Sequence, residues 1–312
     1  METLNKLTII VPCYNETEIF ITTNETLKQV LYTLISSSMI SDKSNILYVD
    51  DGSTDGTWEQ IVFASNEKNV NGLKLSRNCG HQTALLAGLR HADADMNISI
   101  DADLQDDVNV IRLMVEKFLN GADVVYGVRE DRSTDSYIKR QTASIFYSLM
   151  SKMGVEQVNN HADFRLLSRR ATEALLDFDE SNIYIRGIIP KLGFNSDYVY
   201  YSRLKRTAGE SKYPFSKMLS LAVQGITSNT TFPLRFIALT GLLISLVSLF
   251  AILIILIQKM MGHTVTGWAS ITVGQFFLGG VQMLSLGIIG EYVGKIYLET
   301  KKRPKYFVDK EI

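Results

Sequence analysis

Asp101 and Asp103, separated by one alanine, are the residues whose type and spacing speak most directly of chemistry. Carboxylates at i and i+2, just after a short apolar run, can converge on one hard cation. Oxygen ligands of this kind suit Mg2+ or Mn2+, with substrate phosphates completing the shell. Such a cation neutralises a phosphate-bearing leaving group. A lone Asp-X-Asp is commonly a solvated loop. Here the pair follows an apolar run and is followed by Leu104-Gln105-Asp106, which favours the chemical reading.

A second acidic run, Asp50-Asp51-Gly52-Ser53-Thr54-Asp55-Gly56-Thr57, has two readings. Thr54 or Asp55 suits a helix cap, and the glycines permit a turn. One of its carboxylates also suits an N–H of a nucleobase. A third polar cluster, Tyr14-Asn15-Glu16, follows the apolar run that precedes Pro12.

These clusters need a scaffold. Short β-type runs at 7–11, 46–49, 97–100 and 123–126 each stop at polar or glycine residues. Helix-like stretches at 18–37, 57–65, 82–91 and 108–120 lie between or after them. The alternation predicts an α/β, Rossmann-like fold, a mostly parallel sheet with helices on both faces. Ligands then bind beyond the carboxyl ends of the strands, where all three polar clusters fall. Gly-X-Gly-X-X-Gly is absent, which weighs against a dinucleotide-binding site.

Net charge is -1, so no nucleic-acid partner is expected. Cys13 and Cys79 are too few for a disulfide framework. The N-terminal apolar run goes straight into a polar turn and lacks the layout of a signal peptide. Residues 236–257 and 268–290, stretches of 22 and 23 residues without a charge, are each long enough to span a bilayer. Their outer flanks carry Lys212, Lys217 and Arg235, then Lys295, Lys301, Lys302, Arg303 and Lys305, whereas the loop between them holds one lysine. The positive-inside rule predicts a multi-pass protein of the cell membrane with both termini and the N-terminal domain cytoplasmic. Residues 137–153 and 215–227 interleave basic and apolar side chains or follow a basic segment, as interfacial helices do. The expected organisation is a catalytic domain at 1–230, two membrane helices within 231–295 and a tail at 296–312. Gly274, Gly279, Gly280, Gly287 and Gly290 favour helix packing, in cis or in an oligomer.

Read together, Val11-Pro12-Cys13-Tyr14-Asn15-Glu16, the run from Val49 to Thr57, and Asp101-Ala102-Asp103-Leu104-Gln105 resemble the motifs of family 2 inverting glycosyltransferases with the GT-A fold. Arg77-Asn78-Cys79-Gly80-His81-Gln82, Ala162-Asp163-Phe164-Arg165-Leu166-Leu167 and Gly209-Glu210-Ser211-Lys212-Tyr213 are similar to the polyprenyl-phosphate branch. The two apolar stretches and the ending Gly290-Glu291-Tyr292-Val293-Gly294-Lys295 resemble its bactoprenol glucosyltransferases, and the resemblance covers nearly the whole chain.

The resemblance implies residue roles. Pro12, Tyr14, Glu16, Val49 and Asp51 would line the nucleoside pocket. Asp101, Ala102, Asp103 and Gln105 would hold diphosphate, with Mg2+ or Mn2+ on Asp101 and Asp103. Arg129, Lys139 and Arg140 would face the phosphate of the acceptor lipid. Arg206, Ser211 and Lys212 would belong to a loop closing over the donor. Asp163 stands where the family's base is commonly read. A lipid phosphate is already ionised, however, so two other readings of Asp163 stand beside that one: orienting the acceptor or the sugar, or simply pairing with Arg165. His81 is expected to be structural, at a helix start. The implied reaction is inverting transfer of a sugar, glucose first and N-acetylglucosamine next, from a UDP-sugar to undecaprenyl phosphate for cell-surface polysaccharide or teichoic-acid glycosylation, by a homo-oligomer (a tetramer in relatives). A processive polysaccharide synthase is the main rival, but its Gln-X-X-Arg-Trp motif is missing. The only tryptophans are Trp58 and Trp268.

Overall fold

The computed structural model describes residues 4–129, 161–180, 184–202 and 267–312, with scattered positions between 233 and 261. The chain divides into two compact units. One comprises Met1–Ser151, Glu156–Tyr213 and Arg303–Ile312, the other Lys152–Val155 and Pro214–Lys302.

The first unit is an eight-stranded sheet. Its strands are β1 (Leu7–Cys13), β2 (Asn45–Asp50), β3 (Val70–Leu75), β4 (Met96–Ser99), β5 (Val124–Arg129), β6 (His161–Ser168), β7 (Ser196–Tyr201) and β8 (Val308–Glu311), in the order β7-β5-β6-β4-β1-β2-β3-β8. Parallel pairing joins β1 to β2 and β4, β2 to β3, and β5 to β7. Helices α1 (Phe20–Ser36), α2 (Thr57–Ala64), α3 (His81–His91) and α4 (Val110–Leu119) follow β1, β2, β3 and β4. Two more, α5 (Arg169–Leu176) and the single turn α6 (Ile185–Ile188), follow β6. This is the expected α/β layout with helices on both faces.

Strand residues alternate between two cores. Ile9, Val11 and Ile98 pack with Leu27 and Leu31 of α1 and Ile111 and Met114 of α4. Ile10, Val49 and Leu73 pack with Leu85 and Leu89 of α3 and Leu175 of α5. Each fully buried Leu or Ile contributes about 1.5–3 kcal/mol. Both cores are needed to hold the carboxyl ends of β1, β2 and β4 level.

β6 does the most for the site. It is inserted antiparallel between β4 and β5, with Ser99 opposite Arg165. Extending that register by two residues sets Asp163 opposite Asp101. The polar residues Asp163 and Arg165 alternate with Phe164 and Leu166, which enter the α1–α4 core.

Two features differ from expectation. Residues 296–312 read as a tail, yet β8 pairs antiparallel with β3. Gly72 and Ile312 exchange both backbone hydrogen bonds at 2.9 Å. A Cβ on Gly72 would stand 2.6 Å from Ile61 Cγ2 of α2 and 3.0 Å from Ile312 Cγ1, so glycine admits both the helix and the added strand. The second difference lies in the apolar region. Helix α7 (Trp268–Thr300) runs ten residues past the expected end at Gly290, through Glu291, Lys295 and Glu299. Within it, Phe277–Thr300 is the one helix among the described residues long and apolar enough to cross a membrane. Half of the expected span at 236–257 is described and those residues are helical, whereas the interfacial helices at 137–153 and 215–227 lie outside the described residues, so two membrane helices are not established.

Candidate active site

Loops at the carboxyl ends of β1 and β2 are tied together. Asn15, at φ 56°, accepts at Oδ1 from Thr54 N (2.9 Å) while its own N–H donates to Ser53 Oγ (3.0 Å). Thr57 Oγ1 accepts from Glu16 N at 2.9 Å. Asp55 accepts from Thr17 and Thr57. Burial opposes ionisation of its carboxyl, but these hydrogen bonds outweigh it and hold the carboxyl at about 2.

Asp51 is buried, and each of its oxygens is taken by a backbone N–H: Cys79 N on Oδ1 (2.7 Å) and Gly80 N on Oδ2 (2.8 Å). Burial raises its carboxyl above the ordinary range despite these donors. Gly52, at φ +68°, lies so close to the 77–80 loop that a Cβ would stand 2.6 Å from Asn78 N. Asp51 therefore fastens the segment that starts α3 and carries His81.

Around Asp101 the charges concentrate. Asp101 turns Oδ1 inward, where among the described residues it has no hydrogen-bond partner. His81 Nε2 stands 3.5 Å from that oxygen and 3.6 Å from Asp163 Oδ2. Withdrawal from water raises the Asp101 carboxyl, His81 opposes the rise, and Asp163, Asp106 and Asp103 reinforce it. Asp103 Oδ1 accepts from Gln105 N at 3.2 Å, with Leu104 between them at φ 51°. Thr23 of α1 donates to the Ala102 carbonyl at 2.7 Å and anchors the turn.

Asp163 is gripped from two sides. Arg186 donates to Oδ1 from Nε (3.0 Å) and to Oδ2 from Nη2 (2.8 Å), and Arg165 also donates to Oδ1. Burial alone would raise this carboxyl. The two guanidiniums and His81 instead hold it well below the usual carboxylate range. Arg129 is engaged as well: its Nη2 donates to Asp106 Oδ1 at 2.9 Å, and Tyr201 Oη donates to the same oxygen at 2.6 Å.

The structure thus brings together Asp101, Asp103, Asp163 and Arg129. It bears out the pairing of Asp163 with Arg165 and adds His81, Asp106, Arg186 and Tyr201, which the sequence reading either set aside or did not assign. Pro12 and Val49 are buried, Val49 in the core beneath α3. Tyr14 is exposed, Glu16 half-buried and Gln105 buried. Lys139, Arg140, Arg206, Ser211 and Lys212 lie outside the described residues. No group of three or more His, Cys, Asp or Glu among the described residues is arranged to hold a metal.

This Rossmann-like sheet, with its carboxylates beyond the parallel strands, has the layout expected of the GT-A fold. Residues 8–176 match the family described as Glycosyl transferase family 2, and the chain belongs to that family. It is 50% identical over 306 residues to an uncharacterized glycosyltransferase, YkoT, of Bacillus subtilis (strain 168), covering 97% of this chain and 91% of that protein. It is 40% identical over 307 residues to a prophage bactoprenol glucosyl transferase homolog of Escherichia coli (strain K12), covering 97% and 98%. It is 39% identical over 310 residues to the bactoprenol glucosyl transferase of Shigella phage SfV, covering 98% and 99%.

Proposed function

We propose that this glycosyltransferase moves glucose from UDP-glucose to undecaprenyl phosphate at the cytoplasmic face of a membrane, with inversion at the anomeric carbon. The observation that carries the site is the inward-facing Asp101 Oδ1, which has no hydrogen-bond partner among the described residues and lies in a cluster of carboxylates. The near full-length likeness to proteins named bactoprenol glucosyl transferase supports the sugar and the lipid.

Asp101 and Asp103 fit Mg2+ or Mn2+. Both are hard oxygen donors, and a buried carboxylate oxygen that lacks a hydrogen bond, with His81 Nε2 3.5 Å away, can accept a cation. When bound, the ion supplies charge neutralisation at the diphosphate leaving group. Two protein carboxylates are enough if phosphate oxygens complete the shell.

The chain's own residues then hold the reactants. Asp51 fixes the 77–81 loop at the nucleoside side of the cleft. Pro12, Tyr14, Glu16, Val49 and Gln105 are assigned to the donor pocket, Pro12 and Val49 through backbone. Arg129, kept in place by Asp106 and Tyr201, is assigned to the acceptor phosphate, and Lys139 and Arg140 are assigned to it from the sequence. Arg206, Ser211 and Lys212 are assigned to the donor by the family resemblance alone. The acceptor oxygen is already ionised, so positioning rather than proton removal drives the displacement.

Membrane attachment rests on α7. Ile271, Phe277, Met283, Leu284 and Leu286 all stand largely exposed along it, a surface suited to lipid rather than water. The proposed organisation remains a catalytic domain at 1–230, two membrane helices and cytoplasmic termini, assembled as a homo-oligomer.

The experiment is direct. Membranes carrying the protein, supplied with undecaprenyl phosphate, Mg2+ or Mn2+ and a panel of labelled nucleotide sugars, should label the lipid from UDP-glucose. Label from another sugar corrects the donor, and no label from any sugar overturns the reading.

A further inference from the structure

Asp163 is the most heavily held carboxylate of the site, and the residue that holds it best belongs to none of the sequence motifs. Arg186 spans both oxygens with two donors of one planar guanidinium, a fork that fixes the carboxylate plane as well as its charge. Arg186 is itself well placed. It sits on α6, whose Ile185 and Ile188 are buried in the core beneath α3. Ile185 N donates to Gln82 Oε1 at 3.4 Å. Gln82 follows His81, so the turn that brings His81 to Asp101 also supports the helix that brings Arg186 to Asp163.

Arg165 adds a third donor from within β6 and is itself nearly inaccessible to solvent. Three N–H donors occupy most of the acceptor capacity of one carboxylate. What remains is directed to the side shared with His81 Nε2 and Asp101.

We propose that Arg186 is a positioning residue: its fork orients Asp163 as a fixed, ionised acceptor for a hydroxyl of the donor sugar. This rests on the glycosyl-transfer reading above. The acceptor phosphate needs no deprotonation, so a carboxylate locked by two arginines costs the reaction no base. Its use is to hold the sugar while the anomeric carbon is attacked.

A double-mutant cycle on the full-length protein in membranes, with UDP-glucose and undecaprenyl phosphate, tests this. Arg186→Met should lower kcat roughly 100-fold, the scale of a mispositioned group, with little change in donor KM. Arg186→Lys, which keeps the charge but loses the fork, should recover part of that loss. Because Arg186 acts through Asp163, Arg186→Met added to Asp163→Asn should slow the enzyme no further. Multiplicative losses, or a raised donor KM at unchanged kcat, would overturn the proposal. Should the wild type transfer no sugar, the functional reading falls. The pairing is then read from thermal unfolding of the same four proteins: additive Tm shifts overturn it, and non-additive shifts uphold it.

Discussion

Asp51 and Asp163 are two buried carboxylates in one cleft, and they answer burial in opposite ways. Asp51 receives two donors, both neutral backbone N–H groups, and its carboxyl stays above the ordinary range. Asp163 receives its donors from two guanidiniums and is driven well below that range. Both are held in place, yet only Asp163 is held in charge. Backbone donors fix the position of an acid, whereas cationic side chains also fix its ionisation. The corner at Asp51 is therefore a structural fastening, and the corner at Asp163 is an electrostatic one.

The comparison can be broken at several points. Asp103→Asn removes a proposed cation ligand while leaving both corners intact. Sugar transfer should fall below detection with no loss of Tm, and unchanged turnover would remove the metal assignment. Arg165→Leu strips a buried charge from the electrostatic corner. It should cost about 3–5 kcal/mol in denaturant unfolding, because a buried carboxylate loses a partner. Gly52→Ala strikes the fastening corner, where positive φ and the nearby 77–80 backbone both oppose a Cβ. About 2 kcal/mol of destabilisation is expected from the left-handed conformation and forced loop movement.

Asp51→Asn and Asp163→Asn, followed by unfolding from pH 7 downward, sharpen the contrast. Asp163 has a folded pKa below its unfolded value of about 3.9. Its stabilisation is present above that pH and is lost as pH falls through the folded value. The penalty of Asp163→Asn should therefore shrink toward acid. Asp51 has a raised folded pKa, so its ionisation opposes folding near neutral pH. Asp51→Asn should cost only about 1 kcal/mol there, with no shrinkage toward acid. Equal acid profiles for the two variants would show that the corners do not differ in kind.

Much of the scaffold was legible because it is local. β1, β2, β4 and β5 are apolar runs ended by polar residues, and the helices between them carry a helical period. β3 was missed because Asn71, Gly72 and Lys74 dilute its strand character. β6 hid because Asp163 and Arg165 occupy one face of a strand that is nonetheless buried. β8 reads Val308-Asp309-Lys310-Glu311, charges that suit an edge strand as well as a solvated tail. In the site, Asp101 and Asp103 announced themselves by spacing. Arg186 and Tyr201 did not, since each meets its partner through the fold. Tyr201 lies 95 residues from Asp106, and Arg186 lies 23 from Asp163 across strand, helix and turn. His81 looked like a helix start, which it is. Its second role exists only because β6 places Asp163 beside Asp101.

The pairing of β8 with β3 also sets an order of events during synthesis. β3 leaves the ribosome early, yet its partner is made only after the 33 residues of α7. Until then β3 is an open edge able to pair with another chain. The catalytic sheet is therefore finished last, after the apolar helix has emerged, and a ribosome stalled before Val308 would release a sheet still missing its outermost strand.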